Sequence, residues 1–589
     1  MTPEAAPRDR RCLFVVPLAA FVAVLPLILH GCSCGHDFDF HLLSWMEAAR
    51  QFSHGTLHPH WAFSPALNAG EPRFVFYPPL SWVLGALLGL LLSHLPGVTQ
   101  AAGWTAAPIL FTWIALTASG LTMARLARAF TSANAALLAA VLYLANPYML
   151  FTAYERTAYA ELLAAAWIPL LLHAILRDRV TIRGIAVPVA LLWLTNVPAA
   201  IIASYTLALL AAIRLASTPR KETAGALALR TLAGTALGLA LAAFYLIPAA
   251  YERRFVQIAM ATIADMRIDH NFLFAHTGTS PDNLLHDQVL HTASLIAVLL
   301  LAATAAALAA IWRATKLGAP QSVGAPHLAS EMWESRHNIP FPTLPFAILT
   351  SGTAFLLTPV SAIVWSHAPE AALLQFPWRL LLVVAPIFAL ALAHACIGRP
   401  GTPSFALLRR LGSARLAPAA AVVLLVAALT LPAYHLFRQP CDPADTAPAR
   451  LALFQTNAGA DPTDEYTPIA ADNDALKPNN PPYWLADSPT APAPATTEPG
   501  PAPTHLSLTA ARAEDLILNL RDYPAWRITL NGALAPHPAE RPDGLIVVPI
   551  PAGPSTIDIR YAHTFDQTLG DAVTVLALAV CLFSLRRKT

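Results

Sequence analysis

Charge is what this sequence has least of. Only 12% of its 589 residues are Asp, Glu, Lys or Arg, against about 25% in an ordinary soluble chain. That shortage excludes a protein built mainly of soluble domains. The charge that is present is segregated: long apolar runs alternate with short Arg-bearing connections, as expected of helices that must satisfy their own backbone inside lipid. The net charge is +2 and no basic stripe exists, so nucleic acid is not an expected partner. Cysteine is sparse too. Cys12, Cys32, Cys34, Cys396, Cys441 and Cys581 do not read as a disulfide framework. Four lie in or beside apolar runs, where a thiol behaves as a small hydrophobe. Cys32-Ser33-Cys34 is too tight for an easy mutual bridge and too small for a zinc site. No small-x-small cleavage site follows the first apolar run, which is therefore expected to remain as an anchor; Leu29-His30-Gly31-Cys32 matches a lipoprotein cleavage box only faintly.

Orientation follows from the arginines. The first span, roughly 13–29, comes after Arg8, Arg10 and Arg11, which puts the N-terminus in the cytoplasm and residues from His30 onward outside. Further apolar runs are centred near residues 87, 114, 143, 169, 190, 206, 236, 298, 354, 388, 425 and 577. If the run from Pro78 to Leu95 lies in the outer interface instead of crossing, six clusters become cytoplasmic together: Arg125/Arg128, Arg177/Arg179/Arg183, Arg214/Arg220/Lys221, Arg313/Lys316, Arg409/Arg410/Arg415 and Arg586/Arg587/Lys588. The expected fold is mainly α, a polytopic transmembrane helical bundle of about 12 spans in the inner (cytoplasmic) membrane, with both ends inside. The expected division is a transmembrane domain over 1–434 with a first outer loop at 30–103, a Pro/Ala-rich connecting region over 435–504, an extracytoplasmic β-sandwich-like domain over 505–567, and a final helix with a cytoplasmic tail over 568–589.

In the tail, residues 456–504 are rich in Pro, Ala, Thr and Asn and read as an extended linker or mobile loop. Short β runs follow at 516–518, 526–530, 545–550 and 556–561. Asn531-Gly532 marks a hairpin, because both central turn positions favour positive φ, and Pro551-Ala552-Gly553 marks another turn.

The densest polar constellation is in the first outer loop: His36, Asp37, Asp39 and His41, then Glu47, His54, His58 and His60. Leu42, Trp45, Met46, Ala49 and Phe52 recur at helical spacing, so an amphipathic helix is expected along the outer leaflet, with Asp39 as its N-cap. A carboxylate at its start suits a general base. The alternatives are a plain cap for Asp39, a backbone-bonded loop carboxylate for Asp37, or a divalent metal held by these aspartates with His36 or His41. Positive charge on the outer side is what the inside rule disfavours, yet it recurs at Arg73, Arg156, Arg253, Arg254 and Arg379. A bound anion explains it, a lipid phosphate or pyrophosphate above all. Arg73 could instead be an anchor beside Phe74, Phe76 and Tyr77, and Glu155 with Arg156 a surface ion pair. Glu161 completes that loop at a membrane boundary, where ionised groups are costly unless paired or used.

Several of these pieces resemble a known family: Gly35-His36-Asp37 followed by His41, Gly70-x-Pro72 through Tyr77-Pro78-Pro79-Leu80, Tyr154-x-Arg156-x-Ala158-x-x-Glu161, Phe376-Pro377-Trp378-Arg379, Glu465-Tyr466-Thr467-Pro468, and Tyr523-Pro524-Ala525-Trp526-Arg527 with Asn531-Gly532. The family is that of bacterial membrane proteins labelled 6-pyruvoyl-tetrahydropterin synthase-related. It in turn resembles the GT-C-like membrane glycosyltransferases that use polyprenyl-phosphate sugars. The label does not describe an activity here, since a pterin synthase needs a compact fold with a three-histidine zinc site. By resemblance, Asp37 with His41 is the catalytic candidate. Asp39, Arg73, Tyr77, Glu155, Arg156, Glu161 and Arg379 are then candidates for binding a polyprenyl-phosphate-linked sugar and an unidentified glycan or lipid acceptor. The implied reaction is inverting sugar transfer on the outer face of the membrane. A lipid or polysaccharide transporter or flippase is the alternative, and it calls for ionisable residues in the middle of spans, which are few. A non-catalytic envelope-assembly protein is the third reading.

Overall fold

The computed structural model describes residues 11–218, 221–263, 266–316, 340–368, 370–397, 417–495, 498–536 and 540–586. Arg8, Arg10, Arg220, Arg409, Arg410, Arg415, Arg587 and Lys588, on which part of the orientation argument rests, lie outside them. Among the described residues ten helices are long and apolar enough to cross a membrane, from Arg11–His30 to Phe565–Leu582, or eleven if a bent pair is one span. Each apolar run of the sequence has a helix. Two depart from a simple span: the run near 354 breaks into Thr343–Leu356 and Pro359–His367, bent by 94°, and the run near 190 is the twelve-residue helix Ile182–Trp193. The segment placed in the interface forms the helix Pro79–Ser93, about 22 Å long at 1.5 Å per residue, short of a hydrocarbon core of about 30 Å.

The chain forms two compact units. One comprises Met1–Phe38, Pro108–Leu239 and Ala264–Cys441; the other comprises Asp39–Ala107, Ala240–Ile263 and Asp442–Thr589. The first unit is a helical bundle whose boundaries are set by local chemistry. Asn146 caps the helix Pro147–Tyr154, its side chain accepting from the backbone N–H of Tyr148 (3.0 Å) and Met149 (3.1 Å), with Pro147 where a missing N–H costs nothing. Asn196 does the same for Val197–Ala216, accepting from Ala199 N at 2.9 Å. Helix Leu381–Ile397 is buried along its length and packs against Pro281–Lys316 and Ala133–Leu144; Arg11–His30 packs against Ala417–Phe437.

The second unit carries the sheets. Strands β1 (Tyr483–Ala486), β3 (Glu514–Arg521) and β6 (Leu545–Ile550) pair in the order β1-β3-β6. Strands β2 (His505–Ala510), β4 (Trp526–Leu530), β5 (Ala533–Leu534) and β7 (Gly553–Tyr561) pair in the order β2-β7-β4-β5, and every pairing is antiparallel. Asn531 (φ +51°) and Gly532 (φ +80°) turn β4 into β5, as their tolerance of positive φ allows. The region expected to be a mobile linker is corrected in part. The described residues of 487–504 form neither helix nor strand, but helix Ala447–Thr456 and β1 lie within 435–504, and Leu476 and Trp484 are buried against Ile517 and Val547. The β1–β3 ladder, these two apolar side chains and Arg541, which donates to Pro489 O and Ala491 O, dock a segment whose composition reads as solvated.

Candidate functional site

The candidate residues divide between the units: Asp37, Glu155, Arg156, Glu161 and Arg379 belong to the first, and Asp39, His41, Arg73 and Tyr77 to the second.

In the first unit, three loops at helix ends build a cluster. Asp37 closes the segment that leaves Arg11–His30, and its backbone N–H donates to Arg156 O at 3.0 Å. Gly35 makes that approach possible: a Cβ there would stand 2.0 Å from Glu155 O. The Asp37 side chain is 30% exposed, so an incoming hydroxyl can reach it, and His36 Nδ1 lies 2.8 Å from its Oδ1. Arg156 and Arg379 converge on a single carboxylate. Arg156 Nη1 donates to Glu161 Oε2 at 2.8 Å, Arg379 Nε lies 3.4 Å from the same oxygen, and Tyr148 Oη donates to Glu161 Oε1. Arg156 also lies over the Trp378 ring at 4.6 Å, and Arg379 over Phe376 at 4.9 Å. Burial lowers the Arg156 pKa, but Glu161 and then Asp37 outweigh it, and the net direction is upward. Asp37 is within electrostatic reach of both guanidinium groups. Thr157 (φ +48°) and Gln375 (φ +57°) flank the cluster in the left-handed region, a strain that a β-branched residue such as Thr157 accepts only where surroundings impose it.

The alternative reading of Glu155 with Arg156 as a surface ion pair does not hold. Arg156 turns inward to Glu161, and Glu155 instead accepts from Gln439 Nε2 at 2.6 Å. Burial pushes the Glu155 carboxyl above its ordinary pKa, and Gln439 offsets part of that rise. The cysteine reading is corrected as well: Cys34 and Cys441, 407 residues apart, form a disulfide.

In the second unit, helix Phe38–Ser53 begins one residue before Asp39. Asp39 is therefore in its first turn, not the N-cap, and lies 3.5 Å from Arg450 Nη2. The polar side of this helix, expected to face solvent, is buried: His41, Ser44 and Glu47 are all 1% exposed or less. The partners that make this tolerable for Glu47 come from its own helix and from Ser64 just beyond it. Glu47 accepts from Arg50 Nη2 (2.6 Å), Gln51 Nε2 (2.9 Å) and the Ser64 hydroxyl. Burial raises its pKa, but these donors more than offset burial, and the net direction is downward. Arg73 is 3% exposed and donates to Glu71 Oε1 (2.7 Å), Ser44 Oγ (3.0 Å) and Thr463 Oγ1 (2.9 Å), with its guanidinium over the Phe40 ring at 4.6 Å. Tyr77 Oη lies 3.5 Å from His41 Nε2, and the rings meet edge to face. Gly70 (φ +77°) holds the Glu71 turn, where a Cβ would stand 2.1 Å from Trp61 Nε1. Tyr148, Gln439 and Thr463 are absent from the candidates because nothing local marks them, and Glu47 stands in the polar constellation of the sequence without an assigned role. Among the described residues no three His, Cys, Asp or Glu side chains converge as a metal-binding set.

Ten or eleven helices among the described residues that are long and apolar enough to cross a membrane, with a C-terminal antiparallel sheet domain, make this a multi-pass membrane protein. Among solved structures it is similar to the arabinofuranosyltransferase AftD from mycobacteria, in one structure at 15% identity and a TM-score of 0.42 over 94% of this chain and 40% of that one. A mutant form of AftD matches at 19% identity and a TM-score of 0.43 over 73% and 28%. The apo oligosaccharyltransferase of Archaeoglobus fulgidus matches at 16% identity and a TM-score of 0.34 over 79% and 62%. This chain thus spans between 28% and 62% of those proteins' lengths. No family model matches the chain, the pterin synthase-related label included, and no curated protein matches it.

Proposed function

We propose that the protein is a membrane glycosyltransferase that moves a sugar from a polyprenyl-phosphate donor to an acceptor hydroxyl on the outer face of the cytoplasmic membrane, with inversion. The observation that carries this reading is the pair of arginines, Arg156 (buried) and Arg379 (its side chain 11% exposed), sharing one carboxylate, Glu161, within electrostatic reach of the part-exposed Asp37. Two cations against Glu161 and Asp37 are balanced at rest. As the acceptor oxygen bonds to the anomeric carbon, Asp37 takes the hydroxyl proton and becomes neutral. The bond from that carbon to the phosphate oxygen breaks in the same step, and the departing lipid phosphate gains one negative charge. The arginines lose one counter-charge as another appears, so stabilisation is greatest where charge develops. Glu161 and Tyr148 hold the guanidinium groups in place beforehand.

The Cys34–Cys441 bridge supports an outward-facing loop, because disulfides persist in oxidising compartments. An outer site also suits a lipid-borne donor. Asp39, His41, Arg73 and Tyr77 are assigned to holding helix Phe38–Ser53 in place. The test is protein in proteoliposomes with radiolabelled polyprenyl-phosphate sugars. Lipid carrier release is expected, falling roughly 10²- to 10⁴-fold in Asp37→Asn. Equal turnover in that variant would remove Asp37 from the mechanism.

A further inference from the structure

We infer that the Cys34–Cys441 disulfide positions the catalytic loop: it sets where Asp37 stands relative to Arg156, and full activity belongs to the bridged state. Three short segments of the first unit interlace around this bond. Cys34 N donates to Gln439 O at 3.2 Å, and Gln439 N donates back to Ser33 Oγ at 2.9 Å. The same Ser33 hydroxyl donates to Tyr154 O at 2.6 Å, and Gln439 Nε2 reaches Glu155 at 2.6 Å. Two residues beyond Cys34's neighbour Gly35, the Asp37 amide closes on Arg156 O. Segment 33–37 is therefore laced on one side to 154–156 and on the other to 439–441, with a single covalent tie.

The hydrogen bonds are few and short-ranged, while the segments they join are separated by up to 407 residues. A covalent link removes the entropy that those ends would otherwise recover on parting. Forming it takes two thiols and passes two electrons and two protons to a disulfide-bearing oxidant by thiol–disulfide exchange; a dithiol reductant reverses it. The nearby third thiol does not compete. Cys32 is unbridged and buried, and burial pushes its pKa up to about 12, which keeps it protonated and a poor nucleophile. Cys32 O instead lies 3.6 Å from Cys441 Sγ.

The activity arm of this inference rests on the proposed role of Asp37; the structural arm does not. In the purified full chain, N-ethylmaleimide should modify Cys34 and Cys441 only after reduction, in the parent and in Cys32→Ser alike. Modification of either without reductant overturns the bridge. On reduction of the folded protein, and in the double variant Cys34→Ser/Cys441→Ser, hydrogen exchange at the Asp37 and Phe38 amides should speed up about tenfold, while strands β2 to β7 keep their protection. Unchanged exchange in the loop overturns the positioning role. In the transfer assay, reduction should move the acid limb of the pH profile of kcat/KM upward, because Asp37 drifts from the arginines that favour its charged form. Closing the reduced pair with dibromobimane should restore it. A lower rate with an unmoved profile indicates lost protein only and overturns the inference. If the bridged parent transfers no sugar, the transferase reading fails, and labelling and exchange decide the bridge by themselves.

Discussion

Arg73 and Arg379 read alike in the sequence, as outward cations beside aromatic residues, and the structure separates them. Arg73 spends its donors on Glu71, Ser44 and Thr463 and has 3% of its surface exposed. Arg379 Nη1 donates to Leu374 O (3.1 Å) and Gln375 Oε1 (3.2 Å), and its Nε lies at the longer 3.4 Å from Glu161, a carboxylate it shares with Arg156. The two should therefore fail differently. Arg379→Ala is expected to lower kcat/KM for the donor by roughly ten- to a hundredfold, the value of a charged hydrogen bond, with the protein still folded. Arg73→Ala should strip a buried partner from Glu71 and cost on the order of 3 kcal/mol of stability, with kcat/KM for the donor unchanged in the surviving protein. Steady-state kinetics beside thermal unfolding of both variants checks this. A donor defect in Arg73→Ala that matches Arg379→Ala would return Arg73 to the substrate site.

Helices Ala243–Glu252 and Phe565–Arg586 pack together and are joined to the sheets by one buried carboxylate. Glu252 is 1% exposed and accepts from Tyr523 Oη (2.5 Å) and Gln567 Nε2 (3.0 Å). Burial raises its pKa to about 7; neighbouring Asp566 adds to the rise, while Tyr523 and Gln567 offset part of it. A carboxyl raised in the folded state keeps its proton after the unfolded chain has released it. Stability from this group is therefore highest below about pH 4.5, declines as pH rises toward 7, and stays lowered above, by on the order of 3 kcal/mol. Glu252→Gln keeps the shape without the ionisation. It should unfold at a higher temperature than the parent at pH 8, with the gap narrowing toward pH 4.5. A gap independent of pH would show that Glu252 is charged at little cost in the fold.

For the molecule as a whole the decisive quantity is sidedness. The bridge at Cys34 and Cys441 favours an oxidising side for the ends of Arg11–His30 and Ala417–Phe437. Reporters inserted near residue 60 and within the tail after residue 505 should then both be active outside the cytoplasm. A cytoplasmic reporter at either position would take away the outer site, and sugar transfer from a lipid carrier there with it.

What the sequence settled by itself is everything governed by neighbours along the chain. Lipid-scale apolar runs become helices because nothing else satisfies a backbone in hydrocarbon; Asn146-Pro147 and Asn196-Val197-Pro198 start helices through their own side chains, and Asn531-Gly532 turns a hairpin through its own φ preferences. The pairing of Arg156 with Glu161, five residues on, was within its reach in kind if not in partner. Tertiary structure alone decided what lies hundreds of residues apart: Cys34 with Cys441, Arg73 with Thr463, Arg379 with Glu161, Glu252 with Tyr523. It also buried the polar face of Phe38–Ser53, which by its pattern belongs in water. A residue's spacing tells which face of its own element it occupies, but whether that face meets solvent, lipid or a partner depends on segments that share no local signal with it.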